Sequence, residues 1–315
     1  MTADRRAGQP VLSGDQFAEL YARLETESQW GTLERPGALD NITDADIRAA
    51  ANEIRLGRSV SLAAPVETSK AADDPQPARH EMTQWARGRD DSAGLHFAMD
   101  RFEMNVHGNA DSHLDALCHV IYNNTLYGGV PADTASRDGA TALSLDIVAN
   151  GIVGRGVLLD IPRLRGTPWL DPGDSVTADD LLAAENAQHV RVTPGDLLFV
   201  RVGHRQRRTE LGPWNVAEAR AGLHPTALVL LAERRIGALG SDGNNDTAPS
   251  AVDGVAFPVH VLAIHAMGVH LLDYLQFDDL VPLCEQLDRW SFLCVIAPLR
   301  LPNATGSPVN PIAIV

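Results

Sequence analysis

The sequence predicts a single α/β domain built on a mixed β-sheet. Apolar segments typical of strands, such as residues 155–160 (RGVLLD) and 195–202 (GDLLFVRV), alternate with segments of helical periodicity such as 178–188 (ADDLLAAENAQ). The alternation lacks the regular spacing of about 30 residues expected of a doubly wound parallel sheet. No internal repeat and no linker rich in Gly, Ser or Pro divides the chain. We therefore expect residues 14–315 to form one domain, preceded by a flexible tail over residues 1–13.

Several helices are predicted by apolar periodicity and by capping patterns. A first amphipathic helix is indicated by apolar side chains with the spacing of one helix face. These side chains are Phe17, Leu20, Tyr21 and Leu24. The patterns Thr43-x-x-Asp46 and Thr177-x-x-Asp180 resemble capping boxes, and the helix after the first of them is expected to end at Gly57. Residues 66–95 show no period and are predicted to form a long loop.

The composition restricts the partners and the compartment. A formal net charge of −15 at pH 7 disfavours binding to nucleic acid or to an anionic membrane surface. The three cysteines have no metal-finger spacing and fit a reducing compartment. The N-terminus lacks the apolar core of a signal peptide, and no apolar run approaches the ~18 residues of a membrane-spanning helix. We expect a cytoplasmic protein that acts on a small molecule.

The strongest chemical signal is the segment 109–119, NADSHLDALCH. If its first seven residues are extended, every second side chain lies on one face. Those side chains are Asn109, Asp111, His113 and Asp115. Imidazole and carboxylate groups are ligands for zinc and manganese, and a catalytic site needs about three of them and an open position. If residues 115–119 form a helix, His119 lies one turn away as a general acid or base. The alternative is a polar strand face whose histidines only form hydrogen bonds.

The same segment resembles the signature His-x-Gly-Thr-His-x-Asp-x-Pro-x-His of the cyclase family of metal-dependent hydrolases. This family includes bacterial kynurenine formamidase and isatin hydrolase. Further segments are similar to family landmarks and follow the family's order. They are Trp30-Gly31, GALDNIT (37–43), GRGVLLD (154–160), TPGDLLFVR (193–201), LGSDG (239–243) and APLRLPNATGSPVNPIAI (297–314). The resemblance covers nearly the whole chain, which is thereby identified as a member of the longer-chain branch.

The resemblance assigns roles to individual residues. The matching residues are His113, Asp115 and His119. The first two align with metal ligands and the third with the catalytic histidine. The family's first ligand histidine is replaced by Asn109, whose neutral amide is a weaker ligand. The site is therefore expected to hold its metal less tightly, to use Asp111 or His107 as a ligand instead, or to have lost the metal.

A second group of residues is implied by the same resemblance. His260 and Asp273 match a histidine and a later polar residue that face the active site in the family, where they contact substrate or a second metal. Both are predicted to be catalytic. Trp30 and Trp85 are predicted to form an apolar clamp for an aryl substrate, with ordinary packing under the loop as the alternative. Two other histidines are predicted to be structural: His265 and His270.

The resemblance implies a swivelling β/β/α-type domain that assembles as a homodimer or homotetramer and binds Zn²⁺ or Mn²⁺. The implied reaction is hydrolysis of a C–N bond in an amide, lactam or N-formyl group of a ring-bearing small molecule. A metal-bound hydroxide is expected to attack the carbonyl while His119 carries the proton. Three alternatives stay open. They are a lactone hydrolase, a metal-independent ring-forming cyclase that uses His119, His260 and Asp273, and a non-catalytic binding protein.

Overall fold

The computed structural model describes residues 10–28, 37–85 and 95–315. Within these residues, a nine-stranded sheet is accompanied by four two-stranded sheets. In chain order the strands are β1 (Ser59–Ser61), β2 (Arg79–Gln84), β3 (Met99–Glu103), β4 (His113–Asp115), β5 (Thr125–Leu126), β6 (Val130–Pro131), β7 (Ala135–Ser136), β8 (Gly139–Ala140), β9 (Ile152–Asp160), β10 (Ser175–Val176), β11 (Leu197–Arg201), β12 (Gly222–Leu223), β13 (Ala238–Ser241), β14 (His270–Asp273), β15 (Ser291–Ile296), β16 (Gly306–Pro308) and β17 (Ile312–Ile314).

Four of the α-helices in the described residues, the first four in chain order, begin at a residue whose side chain caps the helix. The α-helices are α1 (Gly14–Glu27), α2 (Asp44–Ala50), α3 (Ile161–Arg165), α4 (Ala178–Ala187), α5 (His204–Leu211), α6 (Ala227–Arg234), α7 (Pro258–His260) and α8 (Val281–Leu287). A π-helix over Val261–Ala266 continues α7. Short 3-10 helices span Gly37–Asn41, Ala51–Glu53, Tyr127–Gly129, Ala132–Thr134 and Leu145–Val148. The capping boxes predicted at Thr43 and Thr177 are both formed. Among the helices in the described ranges, none is both long and apolar enough to cross a membrane.

The nine-stranded sheet is mixed, with the spatial order β1-β17-β15-β9-β11-β13-β14-β4-β16. Its central strands β9, β11, β13 and β14 pair in parallel. On either side of them the strand pairs are antiparallel. The predicted α/β class and the predicted mixed sheet are thereby confirmed.

Helices cover both faces of this sheet. Val157 of β9 packs in one core cluster with Leu181 of α4 and Leu228 of α6, whereas the next residue, Leu158, packs in a second cluster with Cys284 of α8. Neighbouring side chains of a strand point to opposite faces, so each cluster marks one face of the sheet. Burial on both faces explains why this strand is continuously apolar in the sequence.

Two elements differ from the sequence prediction. The helix expected to end at Gly57 continues only to Glu53, because the backbone N–H groups of residues 56 and 58 bind the Val315 carbonyl instead of helix carbonyls. The loop predicted over residues 66–95 contains β2, which pairs with β3. The strand β2 is exposed along its whole length, so no apolar period marks it. Residues 86–94 of this loop lie outside the described residues.

The N-terminal tail is described from Pro10 onward. The Leu12 N–H donates to the Ala251 carbonyl at 2.8 Å, and the Leu12 carbonyl accepts from the Asp253 N–H at 2.9 Å. This end of the tail therefore lies against the domain. Residues 1–9 lie outside the described residues, and the boundary predicted at residue 14 stays a prediction.

The strand order brings polar residues together at one edge of the sheet. The parallel strands β13 and β14 end next to each other, and β4 runs antiparallel to β14, so that its first residue lies beside the last residue of β14. In sheets with parallel strands, the carboxyl ends form the usual place for a ligand site.

Candidate metal centre

The site forms where β4 meets β14. His113 lies directly opposite Asp273 in the antiparallel register, and Asp115 lies two residues further along β4. These three side chains therefore share one face of the sheet. All of them are at most 3% exposed, which places charged and polar groups inside the protein. Buried groups of this kind need polar partners.

One group of ligand atoms surrounds the first carboxylate oxygen of Asp115. His107 Nδ1 lies 2.8 Å from Asp115 Oδ1, and His113 Nε2 lies 3.7 Å from the same oxygen. His113 Nδ1 lies 2.8 Å from the backbone carbonyl of Asp111 and so carries a proton, which leaves Nε2 free to bind a metal. His107 Nε2 is held by Thr305 Oγ1 at 2.9 Å. The potential ligand atoms of His107, His113 and Asp115 all lie within 4.8 Å of one another.

A second group surrounds the other oxygen of the same carboxylate. His260 Nε2 lies 3.5 Å from Asp115 Oδ2 and 3.5 Å from Asp273 Oδ2. The Asp246 carboxylate lies 2.6 Å from His260 Nδ1 and also accepts the backbone N–H of His260. Asn245 donates its side-chain N–H to Asp273 Oδ1 at 2.6 Å. Asp115, His260 and Asp273 form the second set of potential ligand atoms within 4.8 Å of one another.

The donor set fits a divalent metal ion. Asp115 Oδ2 is buried and has no hydrogen-bond partner among the described residues, which is unfavourable for a carboxylate oxygen unless a cation binds it. Burial raises the pKa of Asp115, but His119, His107, His260 and His113 outweigh burial and hold that pKa well below its usual range. The carboxylate is therefore ionised and available as a ligand.

His119 lies next to both groups. The chain makes a turn after β4, in which the His119 N–H binds the Ala116 carbonyl at 2.9 Å, and the helix considered for residues 115–119 is absent. The turn stacks the His119 ring on His107, with centroids 3.7 Å apart and planes 12° apart. Burial lowers the pKa of His119 to about 4, although Asp115 opposes this change. At neutral pH the imidazole is uncharged and can accept a proton.

Gly306 provides the space for the His107 ring. A Cβ atom at this position would lie 2.6 Å from His107 Cε1 and 2.5 Å from the Leu114 carbonyl oxygen. Gly306 belongs to β16, which pairs with β4 opposite Asp115. Only glycine can therefore occupy this position while His107 keeps its place.

Two residues predicted as ligands point elsewhere. Asn109 Oδ1 accepts a hydrogen bond from the Tyr274 hydroxyl at 3.4 Å, and Asp111 Oδ1 accepts one from the Glu67 N–H at 2.9 Å. Asp111 belongs to neither of the two groups of potential ligand atoms. The extended strand assumed over residues 109–115 begins only at His113, and the bends before it break the alternation of faces. The ligand roles of Asn109 and Asp111 stay predictions.

The remaining predicted residues belong to neither group of potential ligand atoms or lie outside the described residues. Trp30 lies outside them. Trp85 follows β2 and is 53% exposed. His265 faces Tyr21, whose hydroxyl lies 2.8 Å from its Nδ1. His270 is fully buried, and both of its ring nitrogens lack hydrogen-bond partners among the described residues.

Sequence reasoning missed Asp246 and Thr305, which orient His260 and His107. Each is a common polar residue in an irregular segment, outside the local motif of its partner. Asp246 is 14 residues before His260, and Thr305 is 198 residues after His107. No spacing rule connects such pairs, so only the fold reveals them.

The fold and the site define an α/β protein with a buried histidine–carboxylate cluster of the kind that binds divalent metal ions. Residues 36–245 match the model of the Cyclase family, and the chain belongs to that family, as the sequence motifs predicted. A crystal structure described as a novel cyclase is 30% identical, with a TM-score of 0.83 over 94% of this chain and 99% of that one.

Two further solved structures share the fold. Isatin hydrolase A from Labrenzia aggregata is 21% identical, with a TM-score of 0.59 over 84% of this chain and 95% of that one. Isatin hydrolase A from Ralstonia solanacearum is 22% identical, with a TM-score of 0.58 over 86% of this chain and 97% of that one. A search of curated proteins gives no match.

Proposed function

We propose that this protein is a metal-dependent hydrolase that cleaves a C–N bond of an amide, lactam or N-formyl group in a ring-bearing small molecule. The observation that carries the proposal is the environment of Asp115, whose two carboxylate oxygens face two groups of imidazole and carboxylate ligands. The imidazole that can carry a proton, His119, stacks on one of these groups.

The residues that would hold a metal are those of the two groups. His107, His113 and Asp115 offer two nitrogens and one oxygen, and Asp115, His260 and Asp273 offer one nitrogen and two oxygens. Such mixed sets suit Zn²⁺ or Mn²⁺. When bound, the metal supplies a Lewis acid that polarises the substrate carbonyl and activates water.

The side chains around the ligands then perform the proton transfer. His119 is neutral at pH 7, so it accepts a proton from the attacking water and later donates it to the leaving nitrogen. The water oxygen forms a bond to the carbonyl carbon, the C–N bond breaks, and a carboxylic acid and an amine result. Thr305 and Asp246 keep the rings of His107 and His260 in place during this reaction.

The comparisons support the class of substrate. The isatin hydrolases with the same fold are named for isatin, a ring-bearing compound, and the Labrenzia enzyme was solved with benzyl benzoate bound. We extend this choice of substrate to the present protein as part of the proposal. We further propose that it acts in the cytoplasm. We also propose that it forms a homodimer or homotetramer, and light scattering of the purified protein would test this oligomeric state.

The proposal is tested by hydrolysis assays on protein loaded with Zn²⁺ or Mn²⁺. Isatin and N-formylaniline serve as C–N substrates, and phthalide serves as a lactone of similar size. We expect hydrolysis of a C–N substrate, its loss on chelation and its recovery with metal. A His80→Ala variant should keep this activity, because His80 is an exposed histidine that faces Asp100 on the β2–β3 hairpin and belongs to neither ligand group. Hydrolysis of phthalide alone would replace the proposal with a lactonase.

One arrangement favours a second function, ring closure without a metal: the carboxylates of Asp246, Asp115 and Asp273 surround the His260 ring at 2.6, 3.5 and 3.5 Å. Burial lowers the pKa of His260, but Asp273, Asp115 and Asp246 outweigh it and raise that pKa well above its usual value. A charged His260 can donate a proton while the neutral His119 accepts one, which is acid–base catalysis by the chain alone. Turnover that persists after complete removal of metal, verified by elemental analysis, would select this function.

A further inference from the structure

Phe257 is an exposed aromatic residue that contacts the buried cluster. It immediately precedes α7, and its ring lies 5.7 Å from that of His260, with the two planes 70° apart. Phe257 is 46% exposed, whereas His260 is 7% exposed. The Phe257 ring therefore lies at the boundary between solvent and the imidazole that faces Asp115 and Asp273.

The Phe257 ring packs against a buried arginine. The guanidinium of Arg220 lies 5.0 Å from the centre of the Phe257 ring, and Arg220 is only 4% exposed. Its Nε donates to the Asp246 carbonyl at 3.0 Å and its Nη1 to the Val216 carbonyl at 2.9 Å. A buried cation thus supports the ring through a cation–π contact.

Asp246 binds both neighbours of the Phe257 ring, Arg220 and His260. Asp246 binds Arg220 through its backbone carbonyl and His260 through its carboxylate. The ring and the imidazole are therefore fixed relative to each other. An aromatic surface that does not have to be ordered on binding loses little conformational entropy when a ligand covers it.

We infer that Phe257 binds the planar ring of the substrate and determines a preference for aryl over aliphatic rings. This inference rests on the proposed function, because it assumes that the reacting carbonyl is held at the histidine–carboxylate cluster. Small-molecule sites combine apolar or aromatic surface with a few polar groups, and the exposed face of Phe257 lies directly beside such polar groups. A planar ring gains more from an aromatic neighbour than from an aliphatic one, because aromatic pairs contribute beyond the area they bury.

The inference is tested by calorimetric titration of the full-length protein loaded with Mn²⁺. Benzoate and cyclohexanecarboxylate are the probes, since they carry the same charged group and differ in the planarity of the ring. We expect wild type to bind benzoate about 2- to 10-fold more tightly, the range for one aromatic pair. Phe257→Tyr should keep this preference and Phe257→Leu should remove it. Phe102→Leu is the control, because Phe102 is a 49% exposed phenylalanine on the β2–β3 hairpin.

Each outcome bears on the inference. A benzoate preference that survives in Phe257→Leu, or that is absent from wild type, overturns it. The titration measures binding alone, so hydrolysis of N-formylaniline is measured separately on the same samples. A ring preference without hydrolysis contradicts only the proposed reaction, whereas hydrolysis without a ring preference contradicts only the role of Phe257.

Discussion

His107 Nδ1 lies 2.8 Å from Asp115 Oδ1, although the two residues are eight positions apart in the chain. Bends in the backbone between them bring together two side chains that an extended chain would hold far apart. His107 therefore lies beside the carboxylate, whereas the motif comparison aligns the family's first ligand histidine with Asn109.

This relationship predicts different effects of two substitutions. His107→Ala removes a potential ligand atom and should weaken metal binding by more than the roughly 10- to 100-fold typical of a change outside the ligand shell. Asn109→Ala should leave the affinity nearly unchanged, because the Asn109 oxygen faces Tyr274. Calorimetric titration with Mn²⁺ measures both. A larger loss of metal affinity in Asn109→Ala than in His107→Ala would show that Asn109 is the ligand.

Substitution of the β4 residues should remove the metal altogether. His113→Ala takes away one nitrogen of the first group, and Asp115→Ala takes away the carboxylate that both groups share. We expect purified variants with a circular dichroism spectrum like that of wild type and no bound metal by elemental analysis. Full metal stoichiometry in either variant would show that the residue is not a ligand.

The role of His119 is separable from that of the ligands. His119→Ala should keep the metal and lose roughly 10²- to 10⁴-fold in kcat, the usual contribution of one general acid–base group. Metal content and turnover are measured on the same preparation. If metal and activity disappear together, His119 is a ligand and another group carries the proton.

Asp246 should affect the second group more than the first. Its carboxylate accepts the Val259 N–H at 2.6 Å and the His260 N–H at 3.0 Å, and it faces His260 Nδ1. In Asp246→Asn the amide can present a donor to this ring and reorient it, so affinity for a second metal equivalent should fall about 10- to 100-fold. Binding of the first equivalent should persist. An equal loss of both equivalents would point to general unfolding of the site.

The buried His270 predicts a pH dependence of stability. Burial lowers its pKa to about 4, although Asp115 opposes the change. Between the unfolded pKa of about 6.5 and the folded one, the unfolded chain binds more protons than the native chain, so this contribution to stability is lost as the pH falls. His270→Leu lacks this loss. The free energy of unfolding of the variant minus that of wild type should therefore be about 2 kcal/mol larger at pH 5 than at pH 8, so that the variant gains relative stability in acid.

Urea unfolding of wild type and His270→Leu at the two pH values measures this difference. His80→Leu, at an exposed position, is the control. An equal difference between wild type and His270→Leu at both pH values would show that His270 does not carry the dependence.

The fold was predictable because its signals are local. Apolar runs such as that of β9 and capping boxes such as that at Thr177 depend on a few neighbouring residues. The strand β2 was missed because it is exposed along its whole length and buries no apolar face, and burial is what creates a period of two.

The candidate site was predictable only in part. His113, Asp115 and His119 lie in one motif, so their spacing identifies them together. The backbone bends around residues 107–112 determine which further side chains reach Asp115, and no periodic pattern encodes a bend of this kind. Asp246 and Phe257 acquire their roles only through contact with His260, which lies further along the chain.

The position of Thr305 and Gly306 connects the edge strand β16 to the candidate metal centre. Thr305, just before β16, binds the His107 ring, and Gly306, the first residue of β16, leaves room for it. An edge strand can detach without unfolding the rest of a sheet. When β16 detaches, His107 loses its support, so metal binding at His107 and the pairing of β16 with β4 should strengthen each other by the same free energy. Bound metal should accordingly slow hydrogen exchange at the backbone amides that join β16 to β4, whereas β17, which pairs with β1 and β15 elsewhere in the sheet, should be unaffected.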